Sequence, residues 1–253
     1  MTRKLFAFLM TSSLLLAATP ALAQADAAAQ PAPALTVTGG VTLASQYRFR
    51  GISLSDEEIA LQGTINLNHQ SGFYAGVWGS SLDGFGELGG SNLELDLYAG
   101  YRRQVADGVT VDAGLLYYAY PGSSGGDFEF FEPYANVSAS FGPATVKVGG
   151  NFAWAQDGLA GNSNRYLYSD LSVAVPRTPI TLTGHLGNSH GNTPLTPSGD
   201  YVDWSLGATA TWRNLTLGVA YVDTNLNATE AAAGGATRDI VDAALVLTLG
   251  ATF

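Results

Sequence analysis

The sequence predicts an all-β transmembrane protein, an antiparallel up-and-down barrel of about twelve strands. Three observations carry this. Apolar and polar residues alternate with period two through most segments from Val37 to Phe253, the connections between segments alternate short and long, and charged residues make up only 13% of the chain. Period two is the signature of a strand with one apolar and one polar face. A soluble surface ordinarily carries about a quarter charged residues.

The first residues are of another kind. Arg3 and Lys4 precede an apolar run from Leu5 to Ala18, then Pro20 and Ala21-Leu22-Ala23, the layout of a secretory signal peptide cleaved after Ala23. The run is shorter than the ~20 residues a spanning helix needs. The expected organisation is therefore a signal peptide over 1–23, a flexible lead over 24–35 rich in Ala, Gln and Pro, and one barrel domain over 36–253. No cysteine is present, so neither disulfides nor a thiolate metal site can brace the exported fold. Without Arg3 and Lys4, nine basic side chains face twenty-one acidic ones, a formal charge of −12. That argues against nucleic acid and anionic lipid as partners.

The strands follow in order. Val37, Val41, Leu43, Tyr47 and Phe49 alternate with Thr38, Thr42, Gln46, Arg48 and Arg50, so one strand is expected to run through Arg50. Ile59, Leu61, Ile65 and Leu67 then oppose Glu58, Gln62, Thr64 and Asn66, and a weaker segment covers 73–83. Leu93 to Tyr101 opposes Glu94, Asp96, Tyr98 and Arg102, and Val109 to Tyr117 opposes Asp112 and Tyr118. Later strands carry Phe131 to Phe141, Val146 to Trp154, Leu167 to Val175, Ile180 to Leu186, Trp204 to Trp212, Leu215 to Tyr221 and Val241 to Phe253. Short links fall at Gln70-Ser71-Gly72, Ala106-Asp107-Gly108, Gly142-Pro143, 176–179 and Arg213-Asn214, and long ones at 51–57, 84–90, 121–127, 156–164, 189–199 and 224–238. Short turns at one rim and long loops at the other mark a barrel of the outer membrane of Gram-negative bacteria, both termini lying on the short-turn, periplasmic side. A secreted β-sandwich or lipocalin-like barrel also alternates, with its apolar face inward. The low charge content and the strand number argue against it.

Aromatic placement is a further check, because Trp and Tyr prefer membrane interfaces. The threading puts Phe73, Tyr101, Phe141, Trp212 and Phe253 at the short-turn end of the apolar face. Tyr47, Phe49, Tyr117, Phe131, Trp154, Trp204 and Tyr221 fall at the other end.

The segment Val41-Thr42-Leu43-Ala44-Ser45-Gln46-Tyr47-Arg48-Phe49-Arg50-Gly51-Ile52-Ser53-Leu54-Ser55-Asp56, with Ser71 to Ser80, resembles the TorF family of porins, and Tyr-Arg-Phe-Arg-Gly-Ile-Ser is its specific part. Leu93 to Tyr101 and Tyr117-Tyr118-Ala119-Tyr120-Pro121-Gly122 are similar to that family as well. The resemblance implies an outer-membrane location and a channel role, and it names no solute. Phe253 looks like the aromatic end by which the barrel-assembly machinery recognises its clients. The implied partners are outer-membrane lipid, that machinery during biogenesis, and small solutes.

Catalytic and cofactor signals are weak. Gly84-Phe85-Gly86-Glu87-Leu88-Gly89 matches a dinucleotide pattern, yet that pattern works only when it opens a helix, and here a strand follows. His69, His185 and His190 lack a second ligand at metal spacing. Ser189 with His185 or His190 is the one hydrolase pairing the sequence offers. No catalytic residue, cofactor or metal is assigned, and an enzyme is not expected.

The informative residues are inward charges. The threading gathers Glu58, Glu94, Asp96, Glu132, Asp170, Asp203 and Asp242 at the long-loop side with Arg48 and Arg50, and Arg102 and Lys147 against Asp112 towards the periplasm. Unpaired charge in a dry interior costs several kcal/mol per ion, so these residues are candidates to line a wet pore. Arg48 and Arg50 either set selectivity or pair across strands with Glu58 and Asp242. Tyr98, Tyr118, Tyr134, Tyr166, Tyr168 and Tyr201 share the inward phase, as filler or as a stacking surface. The expected function is a narrow, modestly cation-selective channel; the alternatives are a loop-displaying protein with a blocked lumen and a barrel-borne hydrolase.

Overall fold

A computed structural model describes residues 34–82, 88–124, 126–227 and 238–253. The expected signal peptide, most of the lead, and most of the 84–90 and 224–238 loops lie outside those residues. The strands are β1 (Leu35–Ala44), β2 (Arg48–Phe49), β3 (Ile52–Ser53), β4 (Ala60–His69), β5 (Phe73–Ser81), β6 (Leu93–Ala106) and β7 (Val109–Ala119). They continue with β8 (Phe130–Phe141), β9 (Ala144–Gln156), β10 (Asn162–Ala174), β11 (Ile180–His190), β12 (Asp200–Trp212), β13 (Leu215–Thr224) and β14 (Ala244–Thr252). A 3-10 turn (Asp157–Leu159) and one helical turn, α1 (Arg238–Val241), sit in loops.

All strands but β2 and β3 form one closed antiparallel barrel, in which each pairs with its sequence neighbours in the wall and β1 closes on both β4 and β14. In hydrocarbon no water can satisfy a free backbone group, so a spanning sheet must close. Tight turns at His69/Phe73, Ala106/Val109, Phe141/Ala144, Ala174/Ile180 and Trp212/Leu215 form one rim, and the other five links plus the β1–β4 link form the opposite rim.

The alternation turns the barrel inside out relative to a soluble one. Leu61, Ile65, Leu97, Val148, Leu167, Leu182, Leu206, Leu217 and Leu247 are exposed on the outer wall, while Thr42, Gln62, Glu94, Asp96, Asp112, Glu132, Lys147 and Asp203 are buried within. An apolar belt of this kind around a polar interior is the surface a bilayer covers. Phe73, Phe141, Trp212 and Phe253 stand exposed at the short-turn rim, Phe73 packing on Tyr101; Phe131, Trp154 and Tyr221 stand at the other, with Tyr117 against Phe131.

Three expectations are corrected. The first strand leaves the wall at Ala44 instead of running through Arg50, so Tyr47 and Phe49 are buried inside the barrel and do not join the outer girdle. The second wall strand starts at Ala60, which leaves Glu58 exposed in the loop and not on the inner face. The last strand starts at Ala244, so Asp242 is an exposed residue of the preceding turn. The common cause is local turn chemistry, since alternation continues past the point where backbone pairing stops. The 156–164 link also shrinks to five residues, 157–161, closed by Ala160 and Gly161 at positive φ.

Leu206 is the middle residue of β12 and is 68% exposed. Replacing it with Arg is predicted to destabilise the folded barrel in lipid vesicles by about 2–4 kcal/mol, as charge at the bilayer midplane does. Urea unfolding monitored by tryptophan fluorescence checks this, and an unchanged midpoint would mean that lipid does not cover the wall there.

Candidate functional site: a hairpin across the lumen

The site begins with the residues that leave the wall. Beyond Ala44 the chain bends inward, and β2 and β3 pair through Arg48 with Ser53 and Phe49 with Ile52. The turn between them is Arg50-Gly51, both at positive φ (48° and 84°), the requirement of a two-residue type I′ hairpin. Asn-Gly is the usual solution, and Arg here accepts a left-handed conformation that costs a non-glycine residue about 1–2 kcal/mol. Gly51 has a second reason, because a Cβ there would lie 2.4 Å from Thr224 Cγ2 and 3.0 Å from Asp203 Cβ. The hairpin braces itself, with Tyr47 N donating to Ser55 Oγ (2.8 Å), Leu54 N to Tyr47 O (2.8 Å) and Glu57 N to Ser53 Oγ (3.0 Å).

Contacts from the hairpin reach walls all round the bore. Arg50 Nη2 donates to Glu132 Oε1 and Oε2 at 2.7 and 2.8 Å, and its Nη1 to Asn164 Oδ1 at 3.1 Å. Its guanidinium lies 4.2 Å from the Tyr166 ring centroid and 4.7 Å from that of Phe49. The pair is sealed, Arg50 being 4% and Glu132 0% exposed in their side chains. Glu132 Oε2 also accepts from Tyr118 OH (3.1 Å) and Asn151 Nδ2 (2.8 Å). Tyr201 OH donates to the Arg50 carbonyl (3.0 Å), and Tyr47 OH donates to Glu94 Oε1 (3.2 Å). Arg48 pairs with Glu57 (3.1 Å), not Glu58, and donates to the backbone oxygens of Gly51, Ile240 and Asp242. The expected cross-strand pairing through Glu58 gives way to these contacts, because both arginines sit on the hairpin inside the barrel, while Asp242 stays beside Arg48 and meets it through its backbone oxygen. One hairpin thereby touches β6, β8, β10 and β12 and the α1 turn.

Aromatic rings fill the space around it. Tyr47, Phe49, Trp78, Tyr118, Tyr120 and Phe130 pack into one buried cluster, with Tyr47 tilted against Trp78 and Tyr118 stacked on Phe130. Tyr201 joins a second cluster with Leu226, Ile240 and Val241, on which Ile52 packs.

Below the hairpin the inward charges form separate networks. His185 Nδ1 meets Asp170 Oδ1 at 2.6 Å, and its Nε2 meets Asp203 Oδ1 at 3.0 Å and Tyr166 OH at 2.7 Å. Lys147 Nζ binds Asp170 Oδ2 at 2.8 Å. Both ring nitrogens of His185 are thus engaged away from Ser189, and His190 faces Asp200 at the rim, so neither histidine is hydrogen-bonded to Ser189. Nearer the short turns, Arg102 holds Asp112 Oδ2 through Nε and Nη2, both at 2.8 Å, and Tyr74 bonds Asp112 and Tyr134.

Glu94 and Asp96 differ from all of these. Both are buried, no basic side chain among the described residues pairs with either, and Glu94 Oε2 and both Asp96 oxygens have no donor besides a proton shared between the two acids. Sequence reasoning found the acids and arginines, and it missed the hairpin that gathers them. The Arg-Gly turn was the available signal.

Removal of one member of a buried ion pair strands the other. Glu132→Ala is predicted to cost about 3–5 kcal/mol in urea unfolding of the refolded protein. Arg50→Ala with Glu132→Ala should cost clearly less than the sum of the single changes. Strict additivity would show that the two side chains are not coupled.

Among solved structures, the fold is similar to that of a KdgM porin (TM-score 0.56, 10% identity, covering 85% of this chain and 98% of that one). It is equally similar to the KdgM porin in complex with disordered oligogalacturonate (TM-score 0.56, 9% identity, the same coverage). No curated protein matches the chain. Residues 28–253 match the family described as a bacterial protein of unknown function, Gcw_chp, and the chain belongs to that family.

Proposed function

We propose that this protein is an outer-membrane channel for small cationic solutes, narrowed near its long-loop rim by the hairpin at residues 45–59. The observation that carries the reading is the imbalance of charge inside the barrel. Arg50 is matched by Glu132, Arg102 by Asp112, Lys147 by Asp170 and Arg48 by Glu57. Glu94 and Asp96 have no basic partner among the described residues, and where water reaches them in an open lumen they ionise and make its field negative. Like charges lining a pore set the sign of the ion admitted, and the acid pair stands on the wall beside the narrowing. The resemblance to TorF-family porins supports the reading at one particular place, for its most specific stretch, Tyr47 to Ser53, is the hairpin. The long-loop rim would face outward and the short turns the periplasm, with lipid against the belt and the assembly machinery meeting the exposed ring of Phe253.

The aromatic fill around the hairpin favours a second reading, a closed barrel that displays its loops. Conductance separates the two. In planar bilayers under a salt gradient, the reversal potential is predicted to show modest cation preference. Glu94→Gln with Asp96→Asn should abolish it, and so should molar salt, which shortens the Debye length to ~3 Å. Anion preference that disappears with Arg48→Ala and Arg50→Ala would overturn the carboxylate reading, and absence of any conductance would favour display. For orientation, single cysteines at Ser123 and Asn192 are predicted to react with an impermeant maleimide on intact cells while those at Gln70 and Asp107 stay silent. The opposite pattern would invert the barrel.

A further inference from the structure

Arg50 is the chain's own guanidinium, delivered on a turn into a pocket made by the barrel wall. The wall groups that hold it belong to strands, Glu132 on β8 and Asn164 with Tyr166 on β10, and Glu132 is in turn held by Tyr118 on β7 and Asn151 on β9. The carboxylate takes one guanidinium nitrogen, the Asn164 carbonyl takes another, and Tyr166 lies against the cation at 4.2 Å. A carboxylate, a carbonyl acceptor and an aromatic ring are the elements by which proteins recognise a planar guanidinium. Side chains fixed on strands keep that shape when the occupant leaves better than side chains on loops. Asn164 is itself held from behind, its Nδ2 donating to Thr193 and Thr196.

The occupant, unlike its pocket, is held in place at a conformational cost. Arg50 sits in a left-handed conformation at φ 48° on a two-residue turn, flanked by two-residue strands. A solute that supplies a guanidinium without that turn can take the same wall contacts.

We propose that Glu132, Asn164 and Tyr166 form a guanidinium-binding site in the upper lumen, that Arg50 occupies it as a tethered stand-in for solute, and that small guanidinium-bearing cations compete with the hairpin for it. This rests on the channel reading for its meaning as a solute class, and the binding itself is measurable without conductance. The unpaired acids reinforce the choice of a cation, since Asp96 lies across β6 and β7 from Tyr118, in register with it.

The test uses ethylguanidinium, with ethylammonium as the control of equal charge and similar size. Calorimetric titration into the full chain carrying Arg50→Ala, refolded in detergent, should show saturable binding of ethylguanidinium. Wild type, whose site is filled, should bind it about tenfold or more weakly, as should Arg50→Ala combined with Glu132→Gln, which loses the charged acceptor. Should Arg50→Ala fail to fold, the intact hairpin serves. The protein has no cysteine, and Ile52→Cys places a thiol on β3, half-buried against the cluster of Tyr201, Leu226, Ile240 and Val241. Maleimide should label it several-fold faster in millimolar ethylguanidinium than in ethylammonium. Equal binding of the two cations to Arg50→Ala, indifference to Glu132→Gln, or equal labelling rates would overturn the site. Failure of the channel reading would show separately, as selective binding by a protein that never conducts.

Discussion

The pair between Arg50 and Glu132 is the interaction on which the interior of this barrel turns. A carboxylate sealed in the wall at 0% exposure needs a cation, and the wall side chains that hydrogen-bond it, Tyr118 and Asn151, are uncharged. The base arrives from the chain that leaves β1 at Ala44 and crosses the bore. Because the desolvation penalty of each ion is several kcal/mol, neither partner is tolerable alone, and the hairpin is tied to the barrel by mutual need. The left-handed backbone at Arg50, the glycine that follows it, and the inward turn of Tyr47 and Phe49 are consequences of delivering that one guanidinium.

The outer wall answers to a different constraint. Lipid demands closed backbone pairing and an apolar outer face, and both are written as strict alternation, which is why strands such as β6 and β12 were legible from Leu93 to Tyr101 and from Trp204 to Trp212 alone. The tight rim was legible for a related reason, since Gln70-Ser71-Gly72 and Arg213-Asn214 carry turn residues between two periodic runs. Alternation fails as a guide where a strand stops pairing and the pattern continues. From Ser45 to Arg50 apolar and polar residues still alternate, yet the partners that define a wall strand end with Thr248 and Ala60 opposite Ala44. Inside a lumen lined by aromatic residues an apolar side chain is as well buried as one in lipid, so Tyr47 and Phe49 satisfy either placement. What decides is the Arg50-Gly51 turn, and arginine is an uncommon first residue for it. The ion pairs were legible as composition and not as partners, because pairing across the bore depends on register between strands up to 82 residues apart.

The charges sort by depth. Towards the short turns, Arg102 with Asp112 and Lys147 with Asp170 neutralise one another, and His185 links Asp170 to Asp203 beside the hairpin turn. Among the described residues, only near the hairpin does an acidic pair stand without a base. A membrane pore of this kind would owe its preference to two residues, and its throughput to a segment that one of them, Glu94, also touches through Tyr47.

On the channel reading, the hairpin obstructs the lumen and Arg50 keeps it there. Single-channel conductance of Arg50→Ala beside the wild type measures that most directly. The account predicts that the variant conducts several-fold more, with longer openings, because the turn loses its anchor. Equal conductance and gating in a correctly folded variant would contradict it, and would mean that ions pass the barrel by a path the hairpin does not control.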